Sequence, residues 1–400
     1  MRAKKSADRG KALSCHPRAL MLFEYSTLNG GERSILAAAP YLASAGFALN
    51  ACLFEEGPLQ AKLVGVDIDA TVLRISRGAS LDEKRDILSK VLHDAKPTIV
   101  HANSLNMARL SAPVAGKLGI PHLGYLRDIA KVSRRVLGDI AQSSRLIAVS
   151  QAVKTWYEGL GLPPELISVV HNGVDLEEFA PGEKFGPVRE KLAIQRRPMV
   201  AGIGQLGLRK GFEVWLEAAI AIARELPECV FVIAGEQNSG KEETVEHVRL
   251  LRQRAEQGIL AGQVFWLGRC DDVAQLLREA DLLMHAARQE PLGRVLLEAL
   301  AVGTPIVATN VGGTTEILPP EDHASVLAEK DDAEGLALKA LRLLRNPTER
   351  AEIRLRYREW AVERFSAKRA GEELARHYGA VCESADGGSG DARSRPLKAI

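Results

Sequence analysis

The stretch TIVHANSLNMARLSAPVAGKLGIPHLGYL, residues 98–126, contains two short apolar runs on either side of a helix pattern. Thr98–Ala102 and His122–Leu126 predict buried strands, and Met107–Leu118 between them predicts a helix. Two buried strands joined by a helix form a βαβ unit, and such units build parallel sheets. The stretch therefore predicts an α/β fold.

The same alternation of strands and helices continues on both sides of this stretch. In the first half, further strands are predicted at Ala19–Ser26, Phe47–Phe54 and Leu146–Ser150, with helices at Arg33–Ala45, Leu81–Ala95 and Val132–Gln142. In the second half, strands are predicted at Met199–Ile203, Val230–Ala234, Val264–Leu267, Leu282–His285 and Pro305–Thr309, and the end is helical from Ala333 to about Cys382. This second series predicts a second parallel sheet.

A segment without this alternation separates the two series. Val174–Pro198 carries Pro181, Gly182, Gly186 and Pro187 among charged residues, which is typical of a linker. We predict two tandem doubly wound, Rossmann-like α/β domains that face a central cleft, where ligands of such sheets bind. The predicted divisions are a disordered extension at 1–17, a first domain at 18–180, a linker at 181–197, a second domain at 198–360, a C-terminal helix at 361–383 that packs back on the first domain, and a disordered tail at 384–400.

Composition argues against several classes of protein. The chain of 400 residues is too long for one ordinary core, and its net charge of +2 gives no reason to expect nucleic-acid binding. The five cysteines are scattered and form no C-x-x-C pair, so a reducing cytoplasm fits best. No run reaches 18 apolar residues, so no transmembrane helix is expected. The apolar run Ala19–Phe23 after the basic N-terminus is too short for a signal peptide.

The most informative segment is EPLGRVLLEALAVG, residues 290–303. Pro291 suits the first position of a helix, and Gly303 suits its end. Between them the pattern is apolar on all sides except for one arginine and Glu298, which predicts a buried helix. The helix N-terminus, at the Glu290 end, would bind phosphate, and two carboxylates about 12 Å apart along the axis suit hydroxyl groups of a sugar and a ribose. The alternative is a structural Glu298 paired with an arginine of the core.

A glycine-rich turn follows the predicted strand Met199–Ile203. It has the sequence GIGQLGLRKG at residues 202–211, with the cations Arg209 and Lys210 directly before a predicted helix. A flexible turn with two cations at a helix start is typical of a site for a diphosphate.

The glycines of this turn also match G-x-G-x-x-G, the dinucleotide fingerprint. An NAD(P)-dependent oxidoreductase built on Gly202, Gly204 and Gly207 is therefore an alternative function. Against it, the next acid at a strand end, Glu236, comes 29 residues after Gly207, whereas about 20 is usual. Two adjacent cations are also more charge than a pyrophosphate bound by backbone amides needs.

Further candidates lie at predicted strand ends that face the cleft. The turn at residues 29–31 follows the first strand, and its glycines allow the backbone to approach a ligand closely. His101 and Asn103 end one strand, and Arg127 and Asp128 end another. Each has an ordinary alternative: a simple turn for the glycines, a structural role for His101, and a mutual ion pair for Arg127 and Asp128.

Together these segments resemble retaining glycosyltransferases of glycosyltransferase family 4, which have the GT-B fold. The resemblance extends from about residue 19 to residue 380. It is carried by an E-x7-E element at Glu290 and Glu298, by GTPIVATNVGGTTE at residues 303–316, by NGVD at residues 172–175 and by the turn Lys210-Gly211. One departure is Gln205, where many relatives have arginine.

The resemblance implies a role for each candidate residue. Those that would bind the donor are Gly30, Gly31, Gly204, Leu292, Gly293, Arg294, Val295 and Glu298, with Glu298 on the ribose hydroxyls. Those that would take part in catalysis are Glu290, Arg209, Lys210 and His101, with Glu290 and the amides of residues 292–295 at the transferred sugar and the phosphates. Candidates on the acceptor side are Asn103, Arg127 and Asp128.

The expected chemistry needs no metal and no cofactor. Charge develops on the leaving diphosphate, so preorganised cations there should supply most of the rate, and Arg209 and Lys210 would do the work of a metal. The Asp-x-Asp pattern within Val66–Asp69 precedes an unrelated strand, and Asp271-Asp272 is typical of a helix N-cap. Retention, with acceptor attack on the face that the diphosphate leaves, is implied by the family alone.

The implied partners are a UDP- or GDP-linked sugar and a carbohydrate or lipid-linked hydroxyl acceptor, as in cell-envelope polysaccharide or glycolipid synthesis. A lipid-linked acceptor would require peripheral contact with the inner face of the membrane. Lys131, Arg134 and Arg135 are candidates for that contact, although a basic helix face is more often merely solvated. A non-catalytic nucleotide-sugar-binding protein is a further alternative, and the sequence leaves the oligomeric state open.

Overall fold

The computed structural model describes residues 16–76, 78–237 and 239–386. Its strands are β1 (Arg18–Phe23), β2 (Ala48–Leu53), β3 (Asp69–Val72), β4 (Ile99–Ala102), β5 (His122–Leu126), β6 (Arg145–Ala148), β7 (Ile167–Val169), β8 (Met199–Ile203), β9 (Val230–Ala234), β10 (Val264–Gly268), β11 (Leu282–His285), β12 (Ile306–Thr309) and β13 (Leu327–Ala328). Its α-helices are α1 (Gly30–Ser44), α2 (Pro58–Val64), α3 (Leu81–Ala95), α4 (Leu105–Lys117), α5 (Arg134–Ile140), α6 (Gln151–Gly159), α7 (Pro187–Lys191), α8 (Phe212–Glu225), α9 (Glu242–Ala255), α10 (Val273–Glu279), α11 (Arg294–Val302), α12 (Thr314–Ile317), α13 (His323–Val326), α14 (Ala333–Arg345), α15 (Pro347–Arg364) and α16 (Ala367–Asp386). The predicted extension and tail lie almost entirely outside the described residues, and residues 384–386 belong to α16.

Parallel strands form the first sheet, in the order β3-β2-β1-β4-β5-β6-β7. The residues of β4 and β5 are all buried, because helices cover both faces of a parallel sheet. The predicted strand His122–Leu126 is confirmed residue for residue as β5. β3 and β7 are not predicted, since both are short edge strands with partly exposed side chains.

A second parallel sheet follows, in the order β10-β9-β8-β11-β12-β13. The predictions for β8, β9 and β11 are confirmed at both ends, so the fold class of two doubly wound α/β domains is confirmed. In each sheet the order reverses beside one strand pair, β1 with β4 and β8 with β11. Loops diverge at such a point and leave a crevice beyond the strand ends. Most candidate site residues lie on or beside these loops; the exceptions are His101 in β4, Glu298 within α11, and Arg127 and Asp128 after β5.

The chain returns to the first domain at its C-terminal end. α15 ends at Arg364 and α16 begins at Ala367, so residues 361–383 belong to two helices rather than one. Val174 and Ser366 pair in an isolated bridge where the chain crosses between domains. α16 then packs along α1. No helix in the described part of the chain is long and apolar enough to cross a membrane.

Candidate active site between the domains

Glu290 lies buried at the centre of a charged cluster in the second domain. Its Oε2 accepts a hydrogen bond of 2.6 Å from Lys210 Nζ and one of 2.8 Å from His285 Nε2. Burial alone would raise the pKa of this carboxyl, but Lys210 and His285 outweigh it and hold the pKa of Glu290 well below its ordinary value. Burial lowers the pKa of His285, against the pull of Glu290. The cluster therefore keeps an ionised carboxylate next to a cation.

Two loops lock together to build this cluster. Gly211 has a φ of 61°, and a methyl group there would lie 2.1 Å from the Ala286 carbonyl oxygen, so only glycine lets the loop after β8 pack against the end of β11. Arg209 Nη1 donates to the Gln289 carbonyl at 3.2 Å, and the Arg209 carbonyl accepts from Arg288 N at 2.9 Å. This packing places Arg209 and Lys210 beside Glu290.

α11 begins at Arg294, three residues later than Pro291. Gly293 precedes it with a φ of 101°, a left-handed conformation that no helix continues. The prediction that Pro291 opens the helix is therefore wrong, and so is the spacing of about 12 Å along one axis that depended on it. The amides of Leu292–Val295 find no hydrogen-bond acceptor among the described residues, and free amides at the start of a helix suit an anion.

Glu298 is buried on α11 and forms an ion pair on its own helix. Arg294 Nε donates to Glu298 Oε1 at 2.7 Å, and Arg294 Nη1 donates to Ser34 Oγ of the first domain at 2.9 Å. Burial raises the pKa of Glu298, although Arg294 opposes this. Glu298 is thus paired with an arginine, but the arginine stands between the domains rather than in a core. Gly30 is close by, because a methyl group there would lie 3.6 Å from Arg294 Cδ.

His101 lies in the interior of the first domain rather than at the surface of the cleft. Its accessible surface is 0%, and its Nδ1 is hydrogen-bonded to the Tyr378 hydroxyl on α16. Its ring stacks on Tyr125 with 5.2 Å between centroids, while Nε2 has no partner among the described residues. Burial holds the pKa of His101 well below its ordinary value, so the ring is neutral. The structure gives His101 a packing position.

Arg127 forms a polar cluster with residues from neighbouring strand ends. It donates to the Asn103 carbonyl at 3.0 Å, to Asn103 Oδ1 at 2.7 Å and to Asn172 Oδ1 at 3.1 Å. A methyl group at Gly31 would lie 3.2 Å from Arg127 Cδ. The proposed ion pair with Asp128 does not form, since the exposed Asp128 has no cation within 4.0 Å among the described residues. Arg127 is therefore oriented by amides.

The glycine-rich turn does not have the geometry of a dinucleotide fingerprint. Gly202 lies inside β8 rather than in the turn. Gly204 lies against the Lys210 side chain, since a methyl group there would lie 3.6 Å from Lys210 Cδ. α8 begins only at Phe212, five residues after Gly207. In the fingerprint the glycine turn opens directly into the helix that binds the pyrophosphate. The structure therefore does not support the oxidoreductase alternative.

Glu316 links the two domains, a role that the sequence does not indicate. Its carboxylate accepts hydrogen bonds from Gln151 N at 2.7 Å, from Ala152 N at 2.8 Å and from His171 Nε2 at 3.0 Å. Burial raises the pKa of Glu316, but these three donors outweigh it and the pKa lies below its ordinary value. An acid of the second domain thus caps α6 of the first.

Other functional contacts also escape sequence reasoning. Ser150 Oγ donates to the Pro291 carbonyl at 2.5 Å, which fixes the Glu290 loop to the first domain. His285 contacts Glu290, although from the sequence it is predicted only as the end of a strand. A polar residue that ends a fully apolar buried strand is the one signal that could have found His285.

The described residues contain no group of three or more His, Cys, Asp or Glu side chains placed to hold a metal ion. Asp272 caps α10 by accepting from Gln275 N at 2.8 Å, so its prediction as a helix N-cap is confirmed. Asp69 is the first residue of β3, so the Asp-x-Asp pattern overlaps this strand rather than preceding it.

Two family models match the chain. Residues 28–178 match Glycosyltransferase Family 4, and residues 186–360 match Glycosyl transferases group 1. The D-inositol 3-phosphate glycosyltransferase of Segniliparus rotundus is 27% identical over 243 residues, which are 55% of this chain and 53% of that protein. The UDP-Gal:alpha-D-GlcNAc-diphosphoundecaprenol alpha-1,3-galactosyltransferase of Escherichia coli is 28% identical over 74% of this chain and 79% of its own length. The matched part thus spans about half the length of the Segniliparus rotundus protein and 79% of the length of the Escherichia coli protein.

Solved structures share the fold of the whole described chain. The Anabaena protein HepE in complex with UDP and glucose superposes with a TM-score of 0.78 at 24% identity, over 91% of this chain and 100% of that one. Sucrose-phosphate synthase from Thermosynechococcus elongatus has a TM-score of 0.74 at 17% identity, over 92% of this chain and 100% of that one. At these identities the likeness concerns the fold, two α/β domains across a cleft.

Proposed function

Because the chain belongs to the family 4 type of glycosyltransferases, with the GT-B fold, we propose that it transfers a sugar from a nucleotide-diphosphate sugar to a hydroxyl acceptor, with retention of configuration and without a metal. The observation that carries this proposal is the buried Glu290, which is held ionised by Lys210 and His285 at the uncapped start of α11. Glu298 stands on the same helix, at the cleft.

The donor fits this arrangement by charge. The diphosphate would meet Arg209, Lys210 and the free amides of Leu292–Val295, and the transferred sugar would give hydroxyl hydrogen bonds to Glu290. The ribose hydroxyls would bind Glu298, whose carboxylate is held by no described side chain other than Arg294. In this arrangement fixed cations and amides stabilise the charge that develops on the leaving diphosphate, which is the support for a metal-independent reaction.

The relatives indicate which donor base and which kind of acceptor to test first. UDP is the first base to test, because HepE was solved with UDP and the Escherichia coli relative is named for UDP-Gal. The acceptor would enter at the carboxyl edge of the first sheet, past Asn103, Arg127 and Asp128. A lipid-linked acceptor, as in the name of that relative, would bring the exposed basic residues at the start of α5 to a membrane surface, namely Lys131, Arg134 and Arg135.

Thermal unfolding against a panel of nucleoside diphosphates, nucleotide sugars and NAD(P) tests this function. A ligand at about one hundred times its Kd stabilises the native state by about 2.7 kcal/mol. We expect such a shift with one nucleoside diphosphate, lost in Glu298→Ala and retained in Glu363→Ala, which changes an exposed glutamate of α15. A shift with NAD(P) alone would contradict the proposal. Binding without any transfer or donor hydrolysis would favour a non-catalytic binder instead.

A further inference from the structure

Arg127 differs from Lys210 and Arg294 in what holds it. Its hydrogen-bond acceptors are the carbonyl and amide oxygens of Asn103 and Asn172, which are all neutral. Among the described residues, no carboxylate lies within 4.0 Å of its nitrogens. Lys210 has Glu290 at 2.6 Å and Arg294 has Glu298 at 2.7 Å. Arg127 is thus a cation of the cleft without a carboxylate against it.

The charge of Arg127 is only partly solvated. The residue is half-buried, and burial lowers the pKa of its guanidinium, although Glu32 and Asp128 act against this from a longer distance. A partly buried charge is costly unless an opposite charge compensates it. A guanidinium has five N–H donors, and the bonds to Asn103 and Asn172 use three of them. Donors therefore remain for a ligand.

Arg127 is also held rigidly. Its guanidinium carbon lies 4.0 Å from the centre of the Tyr125 ring, and Tyr125 stacks in turn on His101. Tyr378 on α16 is hydrogen-bonded to His101 and packs edge-on against it. The neutral His101 ring suits this position, because a second positive charge next to Arg127 would be unfavourable. The stack orients the guanidinium before any ligand arrives, which reduces the entropy that binding costs.

We propose that Arg127 recognises an anionic group, a carboxylate or a phosphate, on the sugar substrate that occupies the cleft. The inference rests on the proposed function, since it needs a sugar there. In the proposed function the leaving diphosphate binds Arg209 and Lys210 of the second domain, which also form ion pairs with Glu290. The diphosphate therefore does not need Arg127. Arg127 follows the carboxyl end of β5, next to Gly31. It therefore faces the cleft from the side of the first domain, opposite Arg209 and Lys210. The anion would belong either to a uronate donor or to a phosphorylated acceptor.

Calorimetry on the full chain separates these two sources. In the first arm, UDP-glucuronate is compared with UDP-glucose, and GDP-mannuronate with GDP-mannose, with UDP and GDP as references. In the second arm, glucose 6-phosphate is compared with glucose, in protein saturated with the nucleoside diphosphate that binds. Both arms use the wild type, Arg127→Gln, Arg127→Lys and the control Arg224→Gln, which removes an exposed arginine of α8.

In one of the arms we expect the anionic sugar to bind about ten- to one hundredfold more tightly than its neutral counterpart, as hydrogen bonds to a charged group allow. Arg127→Gln should abolish this preference, Arg127→Lys should reduce it, and Arg224→Gln should keep it. Arg127→Gln should change the affinity for the nucleoside diphosphate alone by less than about threefold, which is within the effect of one lost neutral hydrogen bond.

Equal binding of anionic and neutral sugars in both arms would overturn the assignment. So would an Arg127→Gln variant that loses affinity for UDP or GDP alone by the same factor, because Arg127 would then bind the diphosphate. If Arg127→Gln does not fold, Arg127→Lys is the variant that tests the assignment, since lysine keeps the positive charge but lacks the paired N–H donors of a guanidinium. A wild type that binds no nucleoside diphosphate contradicts the proposed function itself, whereas nucleotide binding without a preference contradicts only the role of Arg127.

Discussion

Arg294 Nη1 donates a hydrogen bond of 2.9 Å to Ser34 Oγ across the cleft. The same guanidinium donates through Nε to Glu298, four residues further along α11. Ser34 in turn donates to the Gly30 carbonyl in the first turn of α1. One arginine therefore links the carboxylate that we assign to the ribose with the glycine turn of the opposite domain.

Arg294→Met should destabilise the protein in a pH-dependent manner. Breaking a buried ion pair leaves Glu298 uncompensated, at a cost of about 3 kcal/mol. Burial already raises the pKa of Glu298 against the pull of Arg294, so the variant raises it further. The full cost is expected at pH values above the pKa of Glu298 in the variant, where Glu298 is charged in both proteins. The cost disappears at pH values below the pKa of Glu298 in the wild type, where Glu298 is protonated in both proteins. Urea unfolding from about pH 5 to about pH 8 measures it.

The double variant Arg294→Met/Glu298→Gln is the control for this prediction. Its reference is Glu298→Gln, which likewise has no titrating carboxyl at position 298, so the difference in the free energy of unfolding between these two variants should not depend on pH. A cost that stays constant with pH in Arg294→Met would mean that lost packing, and not the charge of Glu298, is responsible.

Lys210→Ala should lower turnover of the donor by about one hundred- to one thousandfold, the range found when one preorganised donor to a developing negative charge is removed. Glu290 keeps its hydrogen bond from His285, so the fold should persist, which circular dichroism checks. Lys368→Ala removes an exposed lysine of α16 and should leave turnover unchanged. Near-normal turnover in Lys210→Ala would remove this lysine from the mechanism.

Gly211→Ala and Gly207→Ala form a matched pair within one loop. A methyl group at Gly211 would lie 2.1 Å from the Ala286 carbonyl, whereas the site at Gly207 is open and has a φ of −130°. We expect Gly211→Ala to cost about 1–3 kcal/mol of stability and to weaken nucleotide binding, because Lys210 is displaced with the loop. Gly207→Ala should stay within about 0.5 kcal/mol of the wild type. Equal effects of the two changes would show that the contact with Ala286 does not matter.

Glu316→Ala should loosen the contact between the domains. It removes the acceptor for two backbone amides at the start of α6 and for His171, at a cost of about 1–3 kcal/mol. Small-angle X-ray scattering should show a larger radius of gyration, because the domains separate more readily. Glu321→Ala changes an exposed glutamate nearby and should alter neither quantity. An unchanged radius in Glu316→Ala would limit this residue to local stability.

The positions that sequence reasoning located correctly share one physical basis. Strands buried on both faces are continuous apolar runs, so β5, β8, β9 and β11 could be placed to the residue. The same property hides the direction of a side chain, because such a strand has no polar face. The position of His101 at the end of a predicted strand places it at the cleft. In the structure its side chain instead faces α16, where it is hydrogen-bonded to Tyr378.

Sequence patterns are enough to predict the two parallel sheets, the glycine turns at their carboxyl edges and the segment that holds Glu290 and Glu298. These depend on local patterns, namely apolar runs, helix periodicity and residues that tolerate tight turns. Which charged side chains form pairs is visible only in the folded chain. Lys210 and Glu290 are 80 positions apart, and Arg294 and Ser34 are 260 apart. Such pairs form when separate strand ends and domains pack together, and a side chain's charge partner follows from that packing and not from its neighbours in the chain.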